Sequence, residues 1–226
     1  MTGFLHGTWV IAEKELRVEL RSGEILITAG LFGLLVTILT SLAFFLDDET
    51  ARDVAPGVLW VAASFAGVLA MGRAWARERE ADAIRGLLLT PVPRASLYAG
   101  KALGSLAFVL VIDLALLLVV GLLFRLRPVA DLPPMGLLLA LGTLGYVAMG
   151  TLFAAMSVRT GARDLMLSVV LFPLSAPGLL AGVVATRELL DGAPVAEIVP
   201  WLRILLAFDL VAVVSGLGLF EHLMSD

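Results

Sequence analysis

Six apolar blocks constrain this chain more than any other feature. They run near Ile25–Leu46, Gly57–Ala76, Ala102–Phe124, Gly136–Val158, Leu165–Arg187 and Trp201–Leu223. Each is long enough to cross about 30 Å of hydrocarbon as a helix of about 20 residues. Lipid offers no partners to backbone amides, so the blocks must satisfy them internally, as helices. Hydrophobic residues make up 60% of the 226 and charged residues only 16%, against about 25% in a soluble domain. A soluble protein of this size cannot enclose that much apolar surface. The expectation is one all-α integral membrane domain over residues 1–226, with six transmembrane helices.

Ahead of the first block, Leu5, Trp9, Ala12, Leu16 and Leu20 recur at helical spacing, and charges fill the other face. Residues 1–24 carry too much charge to span. They read as an interfacial amphipathic helix, with Trp9 and the leucines in the acyl boundary. A solvated helix packed on a neighbour is the other reading. The same charges leave no apolar core for a cleavable signal peptide. The later turns are short and marked by Pro56, Pro128, Pro133–Pro134, Gly161, Gly192, Pro194 and Pro200. Residues 187–199 have room for one small amphipathic helix.

Lys and Arg set the orientation. With the N-terminus inside, Lys14, Arg17, Arg21, Arg73, Arg77, Arg79, Arg85, Arg94, Lys101, Arg159 and Arg163 fall on the inner side, 11 of the 16. Arg52, Arg125, Arg127, Arg187 and Arg203 fall outside. The excess places both termini in the cytoplasm.

The longest polar stretch between blocks runs from Arg77 to Lys101. It holds Arg77, Glu78, Arg79, Glu80, Asp82, Arg85, Arg94 and Lys101. Ala81–Leu89 reads as a short amphipathic helix, stopped by Pro91-Val92-Pro93, and a second short helix restarts after Ser96. A solvated loop explains a charge run equally. Three features favour a docking surface here: alternating sign, the apolar-faced helix, and the closing Pro-x-Pro with Tyr98 and Lys101. On that reading the loop takes force from a partner.

The chemistry present is sparse. Gly100-Lys101 is followed by Ala102, and position 95 is Ala, so no Walker A loop exists and the chain is not expected to hydrolyse ATP itself. There is no cysteine, which excludes thiolate metal sites and disulfides. His6 and His222 are the only histidines, and both are expected near the cytoplasmic face, so paired haem ligation inside the membrane is not available. No metal site, catalytic residue or nucleic-acid partner is expected. Asp113 and Asp209 lie inside apolar blocks, at a cost of about 2.5–3.5 kcal/mol each at a helix centre, and so face the bundle interior or a partner. A proton relay and a helix–helix hydrogen bond are both open, and the absence of Lys or Arg at that depth favours the latter. Pro173 and Pro177, four apart, free carbonyls and bend their helix; a hinge, a wall of a substrate path and a static kink remain open. Small residues four apart (Gly100 and Gly104, Gly178 and Gly182, Ala63 and Gly67, Ala212 and Gly216) read as helix packing.

Several motifs then carry a resemblance. Gly57-x-Leu59-Trp60-Val61-Ala62, Phe65-Ala66-Gly67, Arg77-Glu78-Arg79-Glu80, Gly86-Leu87-Leu88-Leu89-x-Pro91-Val92-x-Arg94 and Tyr98-x-Gly100-Lys101 occur in order. So do Leu141-Gly142-Thr143-Leu144-Gly145, Gly150-Thr151-Leu152-Phe153, Leu171-Phe172-Pro173-Leu174, Trp201-Leu202-Arg203 and Phe208-Asp209. The N-terminal Lys14-Glu15-Leu16 and Glu19-Leu20-Arg21-Ser22 fit the same pattern. Together they resemble the heme exporter protein B (CcmB) family of cytochrome c maturation.

The resemblance implies an ABC-2-type permease-like subunit in the bacterial cytoplasmic (inner) membrane, with residues 77–101 as the cytoplasmic coupling loop. It implies an ATPase subunit (CcmA-like), a heme-handling membrane subunit (CcmC-like), a small membrane subunit (CcmD-like) and a periplasmic heme chaperone (CcmE-like) as partners, and a possible homodimer. Heme would be cargo handled by the complex, not a cofactor held firmly by this chain. A non-transporting scaffold and a permease for another cargo are the alternatives.

Overall fold

The computed structural model describes residues 3–43, 48–80, 92–126, 132–160 and 165–223. All regular structure among them is helical: α1 (Phe4–Ser22), α2 (Glu24–Ala43), α3 (Asp48–Glu80), α4 (Arg94–Leu123), α5 (Leu132–Thr160), α6 (Leu165–Leu190) and α7 (Val195–Leu223). The six from α2 to α7 are long and apolar enough to cross a membrane. The chain is therefore an all-helical, multi-pass membrane protein.

Two expectations about helix ends need correction. α3 has 33 residues, or about 50 Å at 1.5 Å per residue, and overshoots the hydrocarbon. Arg77–Glu80 thus continue a span as helix rather than opening a loop. Arg94–Lys101 likewise begin α4 directly, with no separate short helix after Ser96. The polar segment narrows to residues 81–93. The amphipathic helix expected over Ala81–Leu89, and Asp82 with it, lie outside the described residues.

Pro56 and Pro200 are not turn markers but lie inside α3 and α7. Each releases the carbonyl four residues earlier, and those residues, Arg52 and Ala196, are exposed near helix starts, so the interior bears no orphaned acceptor. Residues 187–199 hold no extra helix: α6 runs to Leu190, a turn with Gly192 at φ 87° follows, and α7 starts at Val195.

The helices pack in two groups. α4 holds α1, α3 and α2 on one side, and α5, α6 and α7 hold one another on the other. α3 and α5 are the most enclosed spans; α2 and α7 lie at the edge. Small residues account for this: α5 carries Gly142, Gly145 and Gly150, which let large side chains from neighbours seat against its backbone. The Trp60 indole lies between Gly142 and Gly182, where a Cβ at Gly182 would meet the ring at 2.8 Å. Leu118, Leu122, Leu180 and Leu210 point outward, as lipid-facing residues do.

Candidate functional site

α1 has three faces instead of the two expected. Leu5, Trp9 and Leu20 are exposed, and Glu13 and Arg17 pair on an exposed charged strip. The third face turns inward with Gly7, Thr8, Ile11, Ala12, Glu15 and Glu19. It lies on Gly100 and Gly104 of α4, where a Cβ on Gly100 would strike Ile11 Cβ at 2.5 Å and the Thr8 carbonyl at 2.7 Å. Those two glycines therefore seat an N-terminal helix, not another span.

Two of its carboxylates are buried because each meets cations there. Lys101 Nζ of α4 donates to Glu15 Oε1 at 2.8 Å and to Glu78 Oε1 of α3 at 3.1 Å. Lys14 closes the group, bonding Glu15 at 3.2 Å and also Glu78. Two ammonium groups face two carboxylates, so the cluster is neutral, as burial demands. Lys101 also lies 4.8 Å from the centre of the Trp75 ring. Burial alone would lower the Lys14 pKa, but hydrogen bonding and charge from Glu78 and Glu15 outweigh it and hold it above the ordinary 10.5.

Glu19 makes the second bracket. Its Oε2 accepts from Arg77 Nη1 at 3.1 Å and its Oε1 from the Leu26 amide at 2.9 Å. A negative charge thus caps the N-terminus of α2, where free N–H groups point outward. Gly23 makes the elbow between α1 and α2 at φ 62°, a region open to glycine without strain. Arg77 bonds Ser22 Oγ as well.

Of the residues expected at the coupling site, Glu78, Lys101 and Arg77 are thus brought together, but against α1 and not toward solvent. Tyr98 is interior: its hydroxyl donates to the Ala148 carbonyl of α5 at 2.9 Å, and its ring packs on Phe220. Arg94 is exposed. Arg79 and Glu80 are helical, and their side chains lie outside what is described.

The intramembrane set is organised around α5. Asp113 Oδ2 accepts from Thr143 Oγ1 at 2.7 Å. Asp209 Oδ1 accepts from the Gly145 amide at 2.8 Å. The two carboxyl groups therefore meet α5 two residues apart, at one depth. Their other oxygens, Asp113 Oδ1 and Asp209 Oδ2, are buried without a hydrogen-bond partner. Tyr146 donates to the Ser64 carbonyl, and Trp60 Nε1 to Thr186 Oγ1 at 2.9 Å. Pro173 and Pro177 lie inside α6, which continues through both. Between them, Ser175 Oγ donates to the Leu171 carbonyl at 2.7 Å. Among the described residues no group of His, Asp and Glu is arranged to hold a metal.

Sequence reasoning missed Lys14, Glu15 and Glu19 as partners. Their signal was present: Thr8, Ile11, Glu15 and Glu19 form a stripe beside the apolar one, and Lys101 and Arg77 are cations at span ends that need anions.

These features define a class: a six-span helical membrane subunit whose amphipathic N-terminal helix is clamped to the ends of two spans. The family model described as CcmB protein matches residues 7–220, and the chain belongs to that family. It is 30% identical to heme exporter protein B of Bradyrhizobium diazoefficiens over 209 residues, covering 91% of each chain. It is 33% identical to heme exporter protein B of Paracoccus denitrificans over 183 residues, 80% of this chain and 82% of that one. The protein of that name from Pseudomonas aeruginosa is 29% identical over 217 residues, covering 92% and 95%.

Proposed function

We propose that this chain is the permease subunit of an ATP-driven ABC transporter that delivers heme to the periplasmic side for cytochrome c maturation. Family membership and the heme exporter relatives support the cargo. The observation that carries the mechanism is the cluster of Lys14, Glu15, Glu78 and Lys101. It fastens α1 to the two helix ends that flank residues 81–93, so a push on that segment moves three helices as one body. The force comes from a partner ATPase, since the chain has no phosphate-binding loop. Arg94 and Asp82 are the docking charges; Glu78, Lys101 and Tyr98 transmit the push inside, and Arg79 and Glu80 extend α3 toward the partner. Pro173 and Pro177 supply the bend.

Both termini lie in the cytoplasm of a bacterial inner-membrane protein. The Lys and Arg bias supports this, as does the packing of Tyr98 on Phe220, which puts the start of α4 and the end of α7 at one end of the bundle. The cavity beside Asp113 has about 10 Å³, room for one water and not for a porphyrin. Heme therefore passes between two copies of the chain or along the face toward a heme-handling subunit, with a small membrane subunit and a periplasmic chaperone completing the path.

The test is ATPase activity of the co-purified complex in nanodiscs, comparing wild type with an Arg94→Glu, Asp82→Lys variant. Glu78 is the wrong target for charge reversal, because it is interior. Lost binding or lost stimulation in a variant that still folds is the expected result. Unchanged binding and activity would remove residues 81–94 as the docking surface. Failure of any ATPase to co-purify would overturn the permease reading, and with it the scaffold that recruits an ATPase and a heme chaperone.

A further inference from the structure

The cavity beside Asp113 lies between α3, α4, α5 and α6, and its wall includes Trp60, Ser64, Asp113, Thr143 and Tyr146. The hydrogens available in that wall can be counted. Thr143 gives its hydroxyl hydrogen to Asp113 Oδ2. Ser64 gives its own to the Trp60 carbonyl at 2.6 Å, Tyr146 to the Ser64 carbonyl, and Trp60 Nε1 to Thr186. Every donor is committed. Lone pairs remain on Ser64 Oγ, Tyr146 Oη and Asp113 Oδ1, and Oδ1 is buried without a partner. A wall of acceptors that includes a carboxylate is short of hydrogen, and a bare buried carboxylate is costly.

No cation on the neighbouring helices offsets that charge. α2 carries none between Ile25 and Ala43, α3 none between Val54 and Gly72, and α6 none between Leu165 and Thr186. α5 carries none between Leu132 and Val158, and its Tyr146 phenol is already bonded. From α7, Asp209 is held at Gly145 and is itself acidic. Of the charges of α1, Lys14 and Glu15 are taken up with Lys101, three turns along α4, Glu19 with Arg77, and Glu13 with Arg17.

We propose that Asp113 and this cavity form an intramembrane proton-binding site. The carboxylate takes one proton from hydronium, forming an O–H bond at Oδ1 and leaving water. That O–H donates to a single water in the cavity, whose two hydrogens go to the Ser64 and Tyr146 hydroxyl oxygens. The volume, about 10 Å³, is near the minimum for one water, and three polar partners are what such a water needs. Proton release would leave a charge at the α4–α5 contact and draw in more water, so proton occupancy and the packing of that contact are linked.

The test is infrared spectroscopy of the full chain in nanodiscs with carbon-13-labelled aspartate, titrated from acid to alkali. Wild type minus Asp113→Asn isolates the signal from this residue, and the titration of the labelled wild type needs no variant. The expected result is a protonated-carboxyl band at neutral pH that is lost in Asp113→Asn and shifts in D₂O. Three results would overturn the proposal: an ionised carboxylate signal from Asp113 at neutral pH, a band that does not shift in D₂O, or a band that disappears on adding sodium chloride, which would make the ligand a metal cation.

Discussion

Replacing Lys101 with methionine tests the clamp directly. Lys101 is only 2% exposed and neutralises Glu15 and Glu78 at 2.8 and 3.1 Å. With Lys101 gone, two buried carboxylates share Lys14 alone, and the cluster carries one uncompensated negative charge. Breaking a buried ion pair in this way costs about 3–5 kcal/mol. Loss of the Trp75 contact adds about 0.5–2 kcal/mol. The same cluster predicts a non-additive result. In Lys101→Met, Glu78→Gln the surviving Lys14 and Glu15 are again neutral, and replacing a whole buried pair is often close to neutral. The double variant should therefore be more stable than Lys101→Met alone. Unfolding free energies in mixed micelles would measure the cycle. Spin labels at Arg17→Cys and Leu103→Cys, both exposed and in a chain without cysteine, would report whether α1 leaves α4. Arg17→Ala, which breaks an exposed pair, is the control at about 0.2–0.5 kcal/mol. If Lys101→Met cost no more than that control, or if the double variant cost the sum of the singles, the cluster would not hold α1 in place.

Two glycines with opposite surroundings should respond with opposite sign. Gly100→Ala drives a Cβ into Ile11 and the Thr8 carbonyl and should cost about 1–3 kcal/mol and displace α1, as the same spin-label pair would show. Gly121→Ala meets nothing within 4 Å and should stabilise by about 0.5–1 kcal/mol in the same unfolding assay. Gly23→Ala forces a Cβ onto the left-handed elbow at φ 62° and should cost about 1–2 kcal/mol. The Lys14 pKa is raised in the folded chain, so its contribution is complete below the unfolded value near 10.5 and is lost as pH rises through the folded one. Spin-label distances should hold through neutral and mildly alkaline pH and loosen only above that range, and Lys14→Gln should abolish this alkaline step.

The fold was legible because lipid makes one rule absolute: backbone polar groups must pair within a span. Six apolar blocks therefore meant six helices. Helix ends were harder to read. Charge marked Arg77–Glu80 and Lys101 as outside the span, yet they are helical; Glu19 and Glu15 of α1 offset Arg77 and Lys101, and Lys14 joins Lys101 against Glu78. That compensation sits at Glu15 and Glu19, some 60 to 90 positions away in sequence; the stripe they form on α1 is visible there, but which cation each one meets is set by the fold. The small-residue pairs were legible as packing, but their partners were not. Gly178 meets Phe208, Gly182 meets Trp60, Gly67 meets Tyr146 and Gly216 meets Tyr98. Tyr98 shows the same limit: it lies beside a charge run, yet its ring and hydroxyl find their partners on α7 and α5.

Tyr98 also marks where the two helix groups meet. The side-chain bonds Tyr98 to Ala148, Thr143 to Asp113, Tyr146 to Ser64, Trp60 to Thr186 and Arg187 to Asp53 all cross from α3 or α4 to α5 or α6. On the proposed function, a push on residues 81–93 would load that boundary, since the Lys14, Glu15, Glu78 and Lys101 cluster ties α1, α3 and α4 to one another. Tyr98→Phe removes one of these bonds and leaves a helical carbonyl that still has its backbone partner, so the cost should be small, about 0.5–1.5 kcal/mol. Gly216→Ala behaves differently. A Cβ there would collide with the Tyr98 hydroxyl and ring, and the ring cannot swing away while its hydroxyl is tied to Ala148. Gly216→Ala should cost about 1–3 kcal/mol by overpacking. In the Tyr98→Phe background the nearest colliding atom, the hydroxyl oxygen, is gone and the ring is released, so the same substitution should cost measurably less. Adjacent residues in one network couple by about 0.5–3 kcal/mol, and here the coupling should be favourable. Strict additivity in this cycle would mean that the hydroxyl is not held against Gly216 by its bond to Ala148, and that Tyr98 is not a tie between the two groups.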